Sequence, residues 1–354
     1  MFHSRRPILN KNMELSKEEF PLMSVIITAR NEEKMIESCI SSILEQNYPN
    51  FEIIYVDAES TDKTFEIVTR LESKIKLFKN CKRFVCVKKN AESPAKGRNI
   101  AVKLSQGKFV AFTDADCIAS KNWLEQLMIH LKKGDQAVGG PNIIKHFKFS
   151  KIVNAVDKVL GTFLGSSGAP QFLKIEKITE VHGIPACNLS VARKTFDKLN
   201  GFNEKLRYNE DTDFCYRLVE NGCKIIYNPN ATVDHYIGLD SFKEFSKFVY
   251  NYGVGRGKNI LKNSKLFSRL HLIALLTIFS IISLSFLSLF FKESTIPLSI
   301  IILICISIVL GNSIVLGIRN RSVSIFFLSF FILILEYLFY NVGFLKGIIY
   351  ARKD

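Results

Sequence analysis

The chain has 354 residues and a formal net charge of +15, from 48 Lys and Arg against 33 Asp and Glu. That length holds one large or two ordinary domains. The eight cysteines (Cys39, Cys81, Cys86, Cys117, Cys187, Cys215, Cys223 and Cys305) show no C-x-x-C spacing, so reduced thiols in a cytosolic setting are expected rather than disulfides or zinc. The basic excess raises nucleic acid as a partner. No RNA- or DNA-binding signature accompanies it, however, and Arg256, Lys258, Lys262, Lys265 and Arg269 crowd just before an apolar block. Basic residues in that position point to an anionic membrane face, with membrane lipids and not nucleic acid as the partner.

Residues 1–20 are polar and basic and lack the apolar stretch of a signal peptide, which predicts a flexible tail and a soluble part that is not exported. Residues 21–238 alternate strand and helix signals. Strands are predicted at 23–28, 51–56, 84–87 and 109–113 from short apolar runs. Helices are predicted at 32–46, with apolar spacing at Met35, Ile36, Ile40, Ile43 and Leu44, at 60–71 with Ser60 as N-cap and Lys63 in the first turn, and at 94–104. Such alternation implies an α/β domain with a mainly parallel sheet covered by helices. Residues 239–269 form an amphipathic linker. Phe242, Phe245, Val249 and Tyr252 run along one side of it, to meet either the membrane interface or the soluble domain.

Residues 270–350 make a helical membrane region. Segments 271–291 and 296–318 contain no Asp, Glu, Lys or Arg, and about 20 apolar residues suffice to cross a bilayer. A third segment, 323–349, is interrupted by Glu336 and Lys346. The basic cluster before residue 271 puts that side in the cytoplasm. Three crossings are expected, although they leave Arg352 and Lys353 outside, against the charge bias.

Chemistry gathers at strand ends. Asp114 and Asp116 follow the 109–113 strand, at the sheet edge where open α/β sheets bind ligands. Two acids with one residue between them can hold a hard divalent cation and leave positions for phosphate oxygens. Asp57 ends the second strand, where it can accept from a nucleobase or serve an ordinary capping turn with Ser60 and Asp62. Arg98 can hold a nucleotide or be a surface charge. Asp211, in Asn209-Glu210-Asp211-Thr212-Asp213, is either a general base that takes a sugar hydroxyl's proton or a helix-capping acid. His235 follows an apolar strand and suits a third metal ligand or a structural role. Residues 253–257, with Arg256, form a flexible basic segment that closes on a diphosphate or adjusts to lipid headgroups.

In chain order, Thr28-Ala29-Arg30-Asn31-Glu32-Glu33, Val56-Asp57, Ser60-Thr61-Asp62, Gly97-Arg98-Asn99, Asp114-Ala115-Asp116, Asn200-Gly201-Phe202-Asn203-Glu204, Glu210-Asp211 and His235 resemble a family 2 glycosyltransferase, over nearly all of residues 21–235. The resemblance implies a GT-A fold, Rossmann-like with a mainly parallel sheet, and sugar transfer with inversion from a nucleotide-sugar donor. It implies that Asp57 contacts the nucleobase and Arg98 the nucleotide, with Arg30 and Arg256 also on the nucleotide-sugar. Asp114 would approach the ribose or metal, Asp116 would bind Mg²⁺ or Mn²⁺, Asp211 would be the base with Glu210 beside it, and His235 a metal ligand. Where family members often carry a second acid after the first-motif Asp, this chain has Ala58, which bears on ribose recognition. The Gln-x-x-Arg-Trp motif of processive members is absent, so a polymer-extruding synthase is not expected. Helices at the membrane suggest a lipid-borne acceptor: a lipid-linked saccharide, or alternatively a polyprenyl phosphate. A membrane scaffold that binds without catalysis is the competing class.

Overall fold

Buried runs of β-branched and aromatic residues start the fold. The computed structural model describes residues 20–75, 77–147, 150–166, 175–262 and 269–351. The predicted tail (but for Phe20), Lys265, Arg352 and Lys353 lie outside them. β1 (Met23–Ala29) and β2 (Phe51–Asp57) are buried along nearly their whole length, as parallel strands covered on both faces must be. Between them α1 (Ile36–Leu44) buries Ile36, Cys39, Ile40, Ile43 and Leu44 at helical spacing. α2 (Thr64–Ile75) leads to β3 (Cys81–Lys88). α3 (Pro94–Leu104) opens with Pro94 in its first turn, and the Ser93 hydroxyl accepts from Lys96 N–H. α3 returns the chain to β4 (Phe109–Asp114). Then come β5 (Cys117–Ala119), α4 (Trp123–Leu131), β6 (Ala137–Gly139), β7 (Asn142–Lys145), α5 (Lys151–Leu160) and α6 (Phe163–Ser166). β8 (Thr179–Val181), β9 (Leu189–Ala192), α7 (Arg193–Lys198), α8 (Glu210–Glu220), β10 (Ile225–Tyr227) and β11 (Val233–Tyr236) follow. Four long helices close the chain: α9 (Phe242–Lys262), α10 (Arg269–Leu287), α11 (Thr295–Arg319) and α12 (Val323–Ala351).

The main sheet runs β3-β2-β1-β4-β9-β6-β10-β8, and a small second sheet runs β5-β11-β7. β1 pairs in parallel with both β2 and β4, and β2 with β3, while β9 is antiparallel to β4 and β6. The chain therefore winds from β1 toward β3 on one side and returns to place β4 on the other. That reversal beside β1 opens the crevice in which doubly wound sheets bind ligands. The register brings the ends together, with Ala29 opposite Asp57 and Thr28 opposite Asp114. Two apolar clusters form the core, one including Val25, Ile53 and Trp123, the other Ile26, Phe112 and Phe214.

The second predicted helix begins later than its pattern implies. Ser60 is not its cap: the Ser60 hydroxyl accepts from Asn31 N–H at 3.0 Å, and Asp62 Oδ1 accepts from Thr64 N–H at 3.0 Å instead. Local polar side chains won over the capping signal because they tie the loop after β2 to the loop after β1.

By contact clustering the chain divides into two compact units. Among the described residues one holds 20–145 and 175–237, and the other 146–166 and 238–351. In the helical unit α12 packs on α9, α5 and α11. Residues 253–257 are not a flexible segment; they lie inside α9. A Cβ added at Gly253 or Gly257 would collide with the Tyr340 or Phe344 carbonyl of α12, and one at Gly343 or Gly347 with the Tyr250 or Val254 carbonyl of α9. Small residues let the two backbones touch, as at helix crossings in lipid.

Two helices, Lys292–Arg319 and Val323–Tyr350, are long and apolar enough to cross a membrane. The first of the three expected crossings is shorter: its apolar helix covers Leu272–Leu287 and gives way to turns at 288–290. At about 1.5 Å per residue it reaches roughly 24 Å, less than the ~30 Å of a hydrocarbon core. Gly343→Ala should loosen the α9–α12 crossing at a cost of about 1–3 kcal/mol, the range for overpacking. Thermal unfolding in detergent checks this, with Gly311→Ala as control, since a Cβ there meets nothing within 4 Å.

Candidate active site

The end of β4, β11, α3 and the start of α8 assemble the site. Asp114 closes β4, and Asp116 sits in the turn before β5. β11 lies beside β5 with His235 directly opposite Cys117, and Tyr236 N–H donates to the Asp116 carbonyl at 2.9 Å. This pairing swings His235 onto Asp116, with Nε2 and Oδ2 3.2 Å apart. Ligand atoms of Asp114, Asp116 and His235 all lie within 4.8 Å of one another. Burial disfavours the charged ring of His235, yet Asp116 outweighs it and pushes His235 up to about 10. Burial would raise Asp116, but His235 holds it below the usual carboxylate range.

Two acids and an imidazole suit a divalent cation, and Asn142 shows how the ring adapts. Asn142 Nδ2 lies 3.1 Å from His235 Nδ1, while its buried Oδ1 has no hydrogen-bond partner among the described residues. Turned over, the amide would accept from Nδ1–H and leave the Nε2 lone pair facing the acids, the usual arrangement behind a metal-bound histidine.

Arg98 joins this acid pair to a second one. Its Nη2 donates to Asp114 Oδ1 and its Nη1 to Glu210 Oε1, each at 2.5 Å. It is 4 % exposed and its guanidinium lies 5.7 Å from the Phe202 ring. The surface-charge alternative therefore falls away. Burial works against the guanidinium's charge, but Asp114 and Glu210 more than restore it. Glu210 and Asp211 start α8. Asn209, in the left-handed region at φ 60°, turns the chain into it. Burial pushes Glu210 up to about 7 against the pull of Arg98, with Asp211 adding repulsion. Asp211 Oδ1 accepts from Thr212 N–H at 2.7 Å and Oδ2 from Ala186 N–H at 3.3 Å. Burial keeps Asp211 above the usual aspartate range although Arg98 and both amides pull it down.

The other expected residues fall outside this group. Asp57 is fully buried at the end of β2. Its Oδ1 accepts from Ser60 N–H at 2.8 Å and its Oδ2 from the Tyr55 hydroxyl at 3.0 Å, so it serves the turn. Arg30 is exposed just beyond β1. Arg256 belongs to α9, in the helical unit. Two residues escaped the sequence. Glu32, in the loop after β1, is pushed up to about 7 by burial and by the neighbouring charges of Asp116, Asp114 and Asp62. An acid just beyond the first strand was a usable signal. Asn142 offered none, because only the fold brings it to a histidine 93 positions away. A cavity of about 640 Å³, lined by Phe20, Lys108, Phe109 and Ala192 among others, includes none of these acids.

Known proteins can now be set beside this geometry. Residues 24–197 match the family described as Glycosyl transferase family 2. The UDP-Glc:alpha-D-GlcNAc-diphosphoundecaprenol beta-1,3-glucosyltransferase WfgD of Escherichia coli is 33% identical over 234 residues, covering 64% of this chain and 83% of that protein. The chain belongs to glycosyl transferase family 2. A second relative by sequence, the dolichyl N-acetyl-alpha-D-glucosaminyl phosphate 3-beta-D-2,3-diacetamido-2,3-dideoxy-beta-D-glucuronosyltransferase of Methanococcus voltae, is 27% identical over 342 residues, or 92% of this chain and 97% of that protein. Among solved structures, the mannosyltransferase PcManGT of Pyrobaculum calidifontis, in complex with GDP-Man and Mn²⁺, aligns with a TM-score of 0.54 at 18% identity, over 70% of this chain and 65% of that one. The expected GT-A fold is thus present, and the motifs at 28–33, 56–57 and 114–116 fall at the ends of β1, β2 and β4. Asn142→Ala should weaken Mn²⁺ binding about 10–100-fold, as loss of a partner behind a ligand histidine does; isothermal titration with Mn²⁺ measures it.

Proposed function

We propose that this family 2 glycosyltransferase is metal-dependent and inverting, and that it moves one sugar from a nucleotide-diphosphate sugar to a hydroxyl of a lipid-linked saccharide. The state of Asp211 carries this reading. Each of its oxygens takes one backbone N–H, which leaves lone pairs for a proton, and its carboxylate is made more basic than an exposed aspartate. Those are the properties of a base that must take a hydroxyl proton as the new bond forms.

The division of labour follows from the residues. When bound, Mg²⁺ or Mn²⁺ at Asp114, Asp116 and His235 supplies positive charge for the diphosphate leaving group. Asp211 holds the acceptor oxygen and receives its proton, with Glu210 beside it. The oxygen must approach from the face opposite the leaving group, which inverts the sugar carbon. Arg98 keeps Asp114 and Glu210 at a fixed separation, so donor and acceptor halves stay in register. Arg30, exposed on the loop after β1, is assigned to the nucleotide.

The acceptor class rests on the relatives. Both named transferases act on a sugar carried by a lipid, undecaprenyl diphosphate in one and dolichyl phosphate in the other. The two long apolar helices agree with attachment to the same membrane, and the basic cluster before α10 favours a cytoplasmic catalytic side. Residues 21–238 would then be the catalytic region and 270–350 its anchor.

Asp211→Asn should cut turnover about 10²–10⁴-fold, the usual worth of a general base, while thermal shift with the preferred UDP-, GDP- or dTDP-sugar stays unchanged. A mild effect would point instead to polyprenyl phosphate, whose oxygen is already ionised, and donor binding without turnover on any lipid-linked acceptor would point to a scaffold. Arg98→Met removes the charge that lowers Asp211. The base is deprotonated only above its pKa, so the acid limb of the kcat/KM profile should move to higher pH, by about 1 unit or more, as pH–rate profiles of the two proteins would show.

A further inference from the structure

A second set of ligands sits behind the first and is chemically unlike it. Ligand atoms of Cys117, Cys187 and His235 also lie within 4.8 Å of one another. Cys117 faces His235 across the β5–β11 pair, and its thiol donates to Asp116 Oδ1 at 3.7 Å. Cys187 comes from the short 3₁₀ turn Ala186–Asn188. Both cysteines are free and buried, and all three residues stand on elements fixed by strand pairing or by the core. Nothing in their sequence spacing, 70 positions apart for the two cysteines, announces a metal site.

We propose that Cys117, Cys187 and His235, with Asp116 available as a fourth ligand, form a thiolate site for a soft divalent cation of the Zn²⁺ class, and that its occupation switches the hard-cation site off. Tetrahedral zinc with Zn–S near 2.3 Å needs ligand atoms about 3.8 Å apart, so the present spacing closes by side-chain rotation of about an ångström. Each bound thiol releases its proton to solvent. Thiolate and imidazole select zinc, cobalt or cadmium, whereas the Asp114–Asp116–His235 set with its two carboxylates selects magnesium or manganese. The two sets share His235, and Asp116 borders both. Two dications at one imidazole in a partly buried site repel strongly, so the sites fill as alternatives. The coordination set stands on geometry alone; only its inhibitory consequence rests on the proposed metal-dependent transfer.

Co²⁺ is the probe, because thiolate ligation gives it a charge-transfer absorption that Mn²⁺ and carboxylate ligation do not. Titration of the full chain in detergent should produce that band, saturating at one ion per chain and bleached by Zn²⁺. Cys187→Ser, and independently Cys117→Ser, should lose it and weaken Zn²⁺ binding at least about tenfold. Cys223→Ser, in the turn after α8, should keep it. In transfer assays at saturating Mn²⁺, Zn²⁺ should inhibit the wild type and spare Cys187→Ser, whose Mn²⁺-supported rate should be retained. No band in folded wild type, or a band that survives both serine variants or vanishes in Cys223→Ser, overturns the site. A normal band with no Zn²⁺ inhibition overturns the switch and leaves the site. If no sugar transfer is found at all, the cobalt band still decides the site separately from the proposed reaction.

Discussion

A single guanidinium ties this active site together. Arg98 is nearly inaccessible, and it reaches Asp114 with one nitrogen and Glu210 with another. Asp114 ends β4 and Glu210 begins α8, 96 positions later in the chain. Without the cation between them, the buried Glu210 and the part-exposed Asp114 would repel each other. Removing one member of a buried ion pair typically costs about 3–5 kcal/mol, because the remaining charge stays buried. Arg98 therefore sets the separation between the acids proposed for the metal and those proposed for proton transfer.

The backbone prepares the same edge. The strand order reverses beside β1, and the loops leaving β1 and β2 cross-brace one another. Asn31 N–H donates to the Ser60 hydroxyl and Thr61 N–H to Asn31 Oδ1, at 3.0 and 2.8 Å. Asn31 and Glu59 both sit at positive φ, 61° and 59°, a conformation that costs a non-glycine residue energy and persists only where surrounding contacts hold it. The small β5-β11-β7 sheet adds the third component by carrying His235 to Asp116. Paired strands thus carry the acids and histidine proposed for the metal, and the first turn of α8 carries the carboxylate proposed as the base.

Much of this was legible in the residues. Strand ends with acids after them located Asp114 and Asp116, and the alternating pattern located β1 through β4. What stayed hidden was pairing between distant segments. Arg98 read equally well as a surface charge until α8 came into contact with it. His235 read as a metal ligand or a structural residue until the β5–β11 pairing set it beside Asp116, and Ser60 looked like a cap until the loop after β1 claimed its hydroxyl. The glycines at 253–257 suggested flexibility because the same residue serves loops and tight helix crossings; only the partner glycines of α12, ninety positions on, distinguish the two. The cysteines were silent for the same reason.

Gathering acids in this way opposes folding stability, and the sign is informative. Glu32 and Glu210 are both raised from an ordinary 4.5 to about 7. Between those values the folded chain binds more protons than the unfolded one, so these two groups favour the fold at low pH and the advantage is lost as pH rises toward 7. At neutral pH the site is then a concentration of partly compensated negative charge within a chain whose net charge is +15. A divalent cation relieves that repulsion directly. On the proposed reading, a cation bound among these acids would stabilise the fold most at neutral pH, where their repulsion is greatest.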